Sequence, residues 1–169
     1  MADLKYCPMC ASELVEEMKF GEMRQCCPNP ECGFIFFLDP KLVAVVLVEN
    51  EDRLLLGRRN HNPGKGLWSF PSGYVNRGEK VEEAAIREVK EETNLDVRLK
   101  GLLGVYSENG SPVVLTVYRA EMSNQRQELL PQEEEVMELA FFALNDLPEL
   151  AFPFDHSILA DFKNLKLRD

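Results

Sequence analysis

A run of acidic residues between Lys80 and Thr93 lies at helical spacing and offers ligands for a cation. The segment contains good helix formers and no Gly or Pro, which predicts a helix over residues 80–93. At about 100° per residue, Glu88 and Glu92 fall on the apolar face and Glu91 falls at its edge. Carboxylates that point toward a core repel one another unless a cation lies among them. Because oxygen ligands select Mg2+ or Mn2+, the spacing predicts a divalent metal site on this helix.

A second group of potential metal ligands lies near the N-terminus, where all five cysteines fall within the first 32 residues. Cys7 and Cys10 form one short knuckle, and Cys27 and Cys32 form another. Two such knuckles are typical of a zinc ribbon, in which four thiolates hold a structural Zn2+. Cys27 fits the usual Cys-Pro start of a knuckle, and Cys26 remains the alternative ligand. Buried free cysteines without a metal are the competing interpretation.

The composition changes after the cysteine-rich segment, which predicts a zinc ribbon over residues 1–38 and a second domain over residues 39–169. Segments of the second domain that are rich in β-branched or aromatic residues favour strands at 42–48, 53–59, 96–107, 112–122 and 136–143. We expect the first two to form a hairpin. We also expect an amphipathic helix near the C-terminus, with Asp155 as its N-cap. Strands and helices in this arrangement place the chain in the α+β class.

The overall charge restricts the partners of this chain. Its formal net charge is -10, so most of its surface repels a phosphate backbone, and general nucleic-acid binding is not expected. The N-terminus has no apolar run behind a basic start, and no later stretch is long enough to span a bilayer. We therefore expect no membrane partner and a cytoplasmic location.

The residues around the predicted helix carry a longer pattern. It consists of Gly73, Glu79, Arg87-Glu88-Val89, Glu91-Glu92 and Leu95. In this spacing the chain resembles the Nudix box of the Nudix hydrolases. One position departs from the box, because Asn94 replaces its last glycine, and Asn also adopts the left-handed conformation that closes a helix. A zinc ribbon followed by such a domain resembles a group related to NADH, ADP-ribose and FAD diphosphatases.

The resemblance implies a fold and a set of metal ligands. The Nudix fold is an α/β/α sandwich around a mixed β-sheet, here preceded by the small N-terminal zinc ribbon. By this resemblance, Mg2+ or Mn2+ is expected to be bound by the carboxylates of Glu88, Glu91 and Glu92 and by the carbonyl of Gly73.

Two further roles follow from the same resemblance. Glu79 and Arg87 are expected to form an ion pair that holds the loop against the helix. Relatives also bring a downstream glutamate to the metals, as a ligand or as the base for the attacking water. Glu135 is the candidate for this role, with Glu133 and Glu134 as alternatives in the same acidic run.

The resemblance also implies an activity, which is Mg2+-dependent hydrolysis of a diphosphate bond in a nucleoside diphosphate linked to another moiety. Alternatives are a pyrophosphatase that removes damaged nucleoside triphosphates and a non-catalytic nucleotide sensor, although a sensor would show a broken glutamate triad. NADH diphosphatases carry a Ser-Gln-Pro-Trp-Pro-Phe-Pro stretch downstream of the box, whereas the single tryptophan here, Trp68, lies upstream. ADP-ribose or FAD is therefore expected to be a better substrate than NADH. A homodimer is left open.

Other side chains support weaker expectations. Trp68 and Phe70 are candidates for a base pocket, although packing is the more common role of aromatic residues beside a proline. One member of the Arg58–Arg59 pair is a candidate for phosphate contact. His61 and His156 lack a Cys or His partner at metal-binding spacing, and we assign them no role.

Overall fold

The N-terminal segment forms a small antiparallel sheet from strands β1 (Val15–Lys19) and β2 (Glu22–Cys26). The computed structural model describes residues 4–167, and the chain divides into one unit that ends at Asp39 and another that begins at Pro40. Gly21 has a φ of 83° and permits the tight turn between the two strands. The cysteine-bearing turns lie directly before and after this hairpin in the chain.

The second unit is built on one seven-stranded sheet. Its strands are β3 (Lys41–Asn50), β4 (Arg53–Arg59), β5 (Trp68–Ser69), β6 (Ser72–Tyr74), β7 (Val97–Tyr106), β8 (Val113–Met122) and β9 (Val136–Ala143). The main path runs β5-β4-β3-β8-β7, while β6 also pairs with β3 and β9 with β4. Because β3 and β8 are parallel and the other pairs antiparallel, the sheet is mixed. All strands predicted for this unit are present, and only the short β5 and β6 were not anticipated.

The predicted hairpin between β3 and β4 is present but short. The two strands pair only at Glu49 with Leu54 and at Asn50 with Arg53. Nearer the start of β3, residues 43–45 pair with β6. Strand β4 pairs over its whole length with β9 instead. The end of β4 is therefore held beside the start of β9, which brings together residues far apart in sequence.

Helices α1 (Val81–Thr93) and α2 (Phe154–Lys166) cover opposite faces of the sheet. Alternate side chains of a strand point to opposite faces, and β3 follows this rule. One face packs with α1 through Ala44, Val46, Val48, Ala84, Ala85 and Val89. The other face packs with α2 through Val45, Leu47, Ile158, Leu159 and Phe162. This arrangement confirms the α+β class and the α/β/α layers. Within residues 4–167, no helix has the length and apolar character needed to cross a membrane.

The C-terminal end of α1 agrees with the sequence pattern, whereas the N-terminal end of α2 does not. α1 closes at Asn94, whose φ of 65° is left-handed, so the substitution in the box preserves the turn. The expected N-cap of α2, Asp155, is wrong, because Pro153 occupies that position. Asp155 lies in the first turn, and its Oδ2 accepts a hydrogen bond from the backbone N–H of Phe152 at 3.0 Å. The carboxylate thus reaches backward along the chain instead of forward to the N–H groups of the helix.

Phe162 anchors α2 to the sheet with only 1% of its surface exposed. Phe162→Ala should lower the free energy of unfolding by about 3–5 kcal/mol, because it removes buried contacts and leaves a cavity. Leu167→Ala is the control, since Leu167 is 85% exposed; it should change the same quantity by less than about 0.5 kcal/mol. Urea denaturation measures both variants, and equal losses would contradict the packing of α2.

Candidate active site

Helix α1 presents its acidic residues at three depths. Glu88 is buried, Glu92 is half-buried and Glu91 is exposed. The backbone N–H of Ser72, in β6, donates a hydrogen bond to Glu92 Oε2 at 3.2 Å. Glu88 and Glu92 therefore face the sheet and Glu91 lies at the edge, in the order that the helical spacing predicts.

Gly73 lies directly against Glu88. A Cβ atom at position 73 would overlap the Glu88 carboxylate. Strand β6 holds Gly73 opposite Ala44 of β3, so the backbone has little freedom to move away. Close approach of the strand to the helix is thus the physical reason for glycine here.

Arg87 connects the loop before α1 to the acidic face of the helix. Its Nε donates to Glu79 Oε1 at 2.7 Å, and the same pair is joined a second time at 3.0 Å. Its remaining N–H groups donate to Glu88 at 2.6 Å, to Glu91 at 2.9 Å and to the Tyr74 carbonyl at 3.1 Å. The hydrogen bond from Arg87 lowers the pKa of Glu79 to about 2. Both ends of this guanidinium are occupied, so it fixes the loop and the helix relative to each other.

The buried carboxylates lack sufficient positive charge. Burial raises the pKa of Glu92 to about 8, and the like charges of Glu88 and Glu135 add to the shift. Burial also raises the pKa of Glu88, although Arg87 partly offsets it. Such carboxylates are stable in their charged form only when a cation neutralises them. A set of oxygen donors with this deficit fits a hard divalent cation.

Glu135 lies in the turn before β9 and lines the same cavity as the α1 carboxylates. The two preceding glutamates, Glu133 and Glu134, are not among the described residues that line it. The turn is closed by a hydrogen bond from the backbone N–H of Val136 to the carbonyl of Gln132 at 2.8 Å. The structure therefore distinguishes Glu135 from its neighbours by position.

The cavity has a volume of about 730 Å3 and combines three kinds of wall. The acidic wall includes Glu88, Glu92 and Glu135. The apolar wall includes Val43, Phe70, Leu115, Phe152 and Phe154. Other polar groups are Arg59, His61, Glu108, Ser111 and Asp155. A space of this size, with acidic, cationic and apolar parts, fits an amphipathic ligand.

Of the two adjacent arginines, only Arg59 lines the cavity. Its guanidinium lies 4.8 Å from the centroid of the Phe152 ring, and its Nε donates to the Pro63 carbonyl at 2.8 Å. Burial lowers the pKa of Arg59, while nearby carboxylates, Glu92 first among them, oppose the shift. Arg58 instead donates to the Gly66 carbonyl at 3.0 Å and pairs with a surface glutamate. Strand β4 therefore directs one arginine into the cavity and the other away from it.

Of the two aromatic candidates for a base pocket, one lies in the cavity wall and the other packs elsewhere. Phe70 is buried and lines the cavity, whereas Trp68 packs edge-on against Phe142, with ring centroids 4.7 Å apart. Sequence reasoning missed Tyr74, which lines the cavity and is 58% exposed, and it gave no role to His61. Both residues reach the cavity through loop and strand pairings that carry no local signal in a single sequence.

In the N-terminal unit the structure brings together Cys7, Cys10, Cys27 and Cys32, whose sulfur atoms all lie within 4.8 Å of one another. The Sγ atoms of Cys7 and Cys32 are 3.6 Å apart, and those of Cys10 and Cys27 are 3.4 Å apart. Cys26 lies outside this group, and its Sγ contacts the Arg24 carbonyl at 3.5 Å. The four clustered thiols form a donor set suited to one tetrahedral metal ion.

Similarity to known proteins agrees with this geometry. The family model described as NUDIX domain matches residues 39–162. The ADP-ribose pyrophosphatase of Methanocaldococcus jannaschii is 38% identical over 135 residues, which cover 77% of this chain and 77% of that protein. The NAD-capped RNA hydrolase NudC of Stutzerimonas stutzeri is 30% identical over 148 residues, which cover 86% of this chain. The match spans only 50% of that NudC protein.

Solved structures show the same relationship. A NUDIX hydrolase from Nitrosomonas europaea superimposes with a TM-score of 0.83 at 29% identity, covering 92% of this chain and 88% of that one. A MutT NUDIX hydrolase from Burkholderia pseudomallei gives a TM-score of 0.65 at 30% identity, covering 73% of this chain and 98% of that one. Family model, relatives, layered fold and box residues agree, and the chain belongs to the Nudix hydrolase family.

Proposed function

We propose that this protein hydrolyses a diphosphate bond in a nucleoside diphosphate linked to another moiety, in a reaction that depends on Mg2+ or Mn2+. The observation that carries the proposal is the convergence of Glu88, Glu92 and Glu135 on one cavity that also contains Arg59. Clustered carboxylates favour a divalent cation, and the cation and the arginine together suit a diphosphate.

The metal ligands in this proposal are Glu88, Glu91, Glu92 and the Gly73 carbonyl. Glu79 and Arg87 hold the loop and the helix in place and do not react. The bound cation would neutralise diphosphate oxygens and lower the pKa of a water molecule. The exposed position of Glu91, beside Arg87, suits a ligand that helps to bind metal at the rim of the site.

The protein's own groups divide the remaining work. From its turn at the cavity wall, the Glu135 carboxylate accepts the proton of the attacking water or would serve as a further ligand of the cation. Arg59 faces the phosphate oxygens. The water oxygen forms a bond to one phosphorus as the bridging P–O bond breaks, and the bridging oxygen leaves with the other phosphate. The two products therefore both end in phosphate.

The charge of the cavity supports a diphosphate diester as substrate. Among the described residues that line it, Arg59 and Arg87 are the arginines, no lysine is present, and Arg87 is already held by carboxylates. A nucleoside triphosphate carries roughly twice the negative charge of a diphosphate diester and needs correspondingly more cations. The apolar wall suits the organic groups at both ends of a diester. The similarity to the ADP-ribose pyrophosphatase of Methanocaldococcus jannaschii supports the same class.

For the N-terminal region we infer a structural Zn2+ held by Cys7, Cys10, Cys27 and Cys32. Four thiolates leave no open position on the metal, so this ion would stabilise the ribbon and take no part in hydrolysis. We assign residues 1–38 to the ribbon and residues 39–169 to the Nudix domain. A reducing compartment such as the cytoplasm would keep these thiols available for metal.

Zinc binding should depend on Cys27 and not on its neighbour Cys26. Protein prepared without chelator should contain one zinc per chain, and Cys27→Ser should lose most of it because a ligand is removed. Cys26→Ser is the matched control and should keep its zinc. Elemental analysis measures the metal content. A wild-type protein without zinc, or equal losses in both variants, would contradict the proposed ligand set.

Hydrolysis should depend on the buried and cavity-lining glutamates. Glu92→Gln and Glu135→Gln should each lower kcat by about 10²- to 10⁴-fold while KM changes far less, because ligation or proton transfer is lost. Glu134→Gln is the control, since Glu134 does not line the cavity. Steady-state kinetics with Mg2+ gives both constants. If glutamine at positions 133, 134 and 135 costs less than about threefold in each case, the base lies elsewhere and Glu88 is the next candidate.

Substrate preference should reflect the few cationic groups of the cavity and the absence of the Ser-Gln-Pro-Trp-Pro-Phe-Pro stretch of NADH diphosphatases. In a panel of ADP-ribose, FAD, NADH and dATP with Mg2+, we expect ADP-ribose or FAD to give the highest kcat/KM and dATP the lowest. Chromatography of the phosphate-ended products measures each rate. A clear preference for NADH would contradict the expected order. Preference for dATP would favour the sanitising activity, and binding without hydrolysis would favour the sensor.

A further inference from the structure

The turn that carries Glu135 is fastened to the opposite strand by a single residue, Asn60. The backbone N–H of Asn60 donates a hydrogen bond to the Glu135 carbonyl at 2.8 Å. The side-chain Nδ2 of Asn60 donates another to the Glu133 carbonyl at 2.7 Å. One residue therefore binds two alternate carbonyls of the same turn.

This double attachment continues the sheet where the regular pairing stops. Strands β4 and β9 pair from Arg53 up to Arg59, which lies opposite Val136, and the register shifts between Arg58 and Arg59. Asn60 directly follows β4 in the sequence, and Glu135 directly precedes β9. Any residue except proline could supply the backbone bond, but only a side chain with a suitably placed donor can reach the second carbonyl. The amide of Asn60 is thus the part of the attachment that depends on residue type.

The opposite side of the turn is also fixed. Gln132 accepts hydrogen bonds from the Glu135 N–H through its carbonyl at 3.0 Å and through its Oε1 at 2.8 Å. The backbone N–H of Gln132 in turn donates a hydrogen bond to the Glu92 carbonyl at 3.3 Å. Asn60 and Gln132 therefore hold the turn between the end of β4 and the end of α1.

The geometry has a consequence for the cavity. Arg59 directly precedes Asn60, and Arg59 and Glu135 both line the cavity, whereas Asn60 does not. Release of the turn would change the separation of Glu135 from Arg59 and from the α1 carboxylates. A group that moves a proton must lie within hydrogen-bond reach of it, and a misplacement of about 1 Å can cost about 10²-fold in rate.

We propose that Asn60 is a positioning residue for Glu135 and acts through the bond from its amide to the Glu133 carbonyl. The inference rests on the role proposed for Glu135 in hydrolysis. A merely structural bond would contribute to folding stability and would affect the rate in the same proportion whether or not Glu135 is intact. A positioning bond affects the rate only while Glu135 has a carboxylate to position.

A double-mutant cycle separates these two roles. Asn60→Ala should lower kcat about tenfold and leave KM within about twofold, because the turn loses one of its two hydrogen bonds to residue 60. In the Glu135→Gln background the same change should lower kcat by less than about twofold, because the two residues act as one unit. Asn164→Ala, in the exposed part of α2, is the control and should leave kcat unchanged in both backgrounds. Asn60→Asp retains the shape but loses the donors, so it should reproduce the loss even if Asn60→Ala folds poorly.

A measurement that does not use activity completes the test. Amide hydrogen exchange of residues 132–136 should become faster in Asn60→Ala and stay at the wild-type rate in Asn164→Ala. Unchanged kcat and exchange in both Asn60 variants would overturn the proposal, as would an undiminished loss in the Glu135→Gln background. If Glu135→Gln itself keeps wild-type kcat, the role of Glu135 fails and the proposal fails with it. Loss of activity in Glu135→Gln with full activity in the Asn60 variants would reject Asn60 alone.

Discussion

Repulsion among the clustered carboxylates of the cavity is the constraint on which the candidate site depends. Glu88, Glu92 and Glu135 approach one another in a space that raises the pKa of the first two. Arg87 supplies one permanent countercharge, but it is shared with Glu79 and cannot neutralise the whole group. The cluster therefore carries more negative than positive charge. Packing elsewhere in the domain must stabilise this arrangement.

The central strand β3 provides much of that packing. Its residues alternate between the core under α1 and the core under α2, so one continuous strand fixes both helices. The short strand β6 pairs with the same part of β3 and brings Gly73 against Glu88. A change in the position of β3 would move helix α1, Gly73 and the apolar wall of the cavity together. The site is precise because its parts share this support.

The sequence was sufficient where the determining contacts are local. Helical spacing placed Glu88 and Glu92 on the same face of α1, because their relative orientation depends on that helix alone. It could not decide between Arg58 and Arg59, because the pairing of β4 with a distant strand determines which side chain faces the cavity. The N-cap assignment of Asp155 was wrong for a related reason: a carboxylate can bond backward or forward, and the preceding proline decided the helix start. Tyr74, the last residue of β6, and the loop residue His61 gave no signal at all.

The position of Trp68 has a spectroscopic consequence. It is the only tryptophan in the chain, and its strand pairs with β4 at Arg58, next to the arginine that enters the cavity. Its indole packs against Phe142 of β9, and its carbonyl accepts a hydrogen bond from Ala151 at 2.8 Å, one residue before the aromatic ring that covers Arg59. Tryptophan fluorescence of the protein therefore originates from one place, close to the part of the cavity wall that contains Arg59. The emission is a built-in optical probe of that wall, free of background from any other indole.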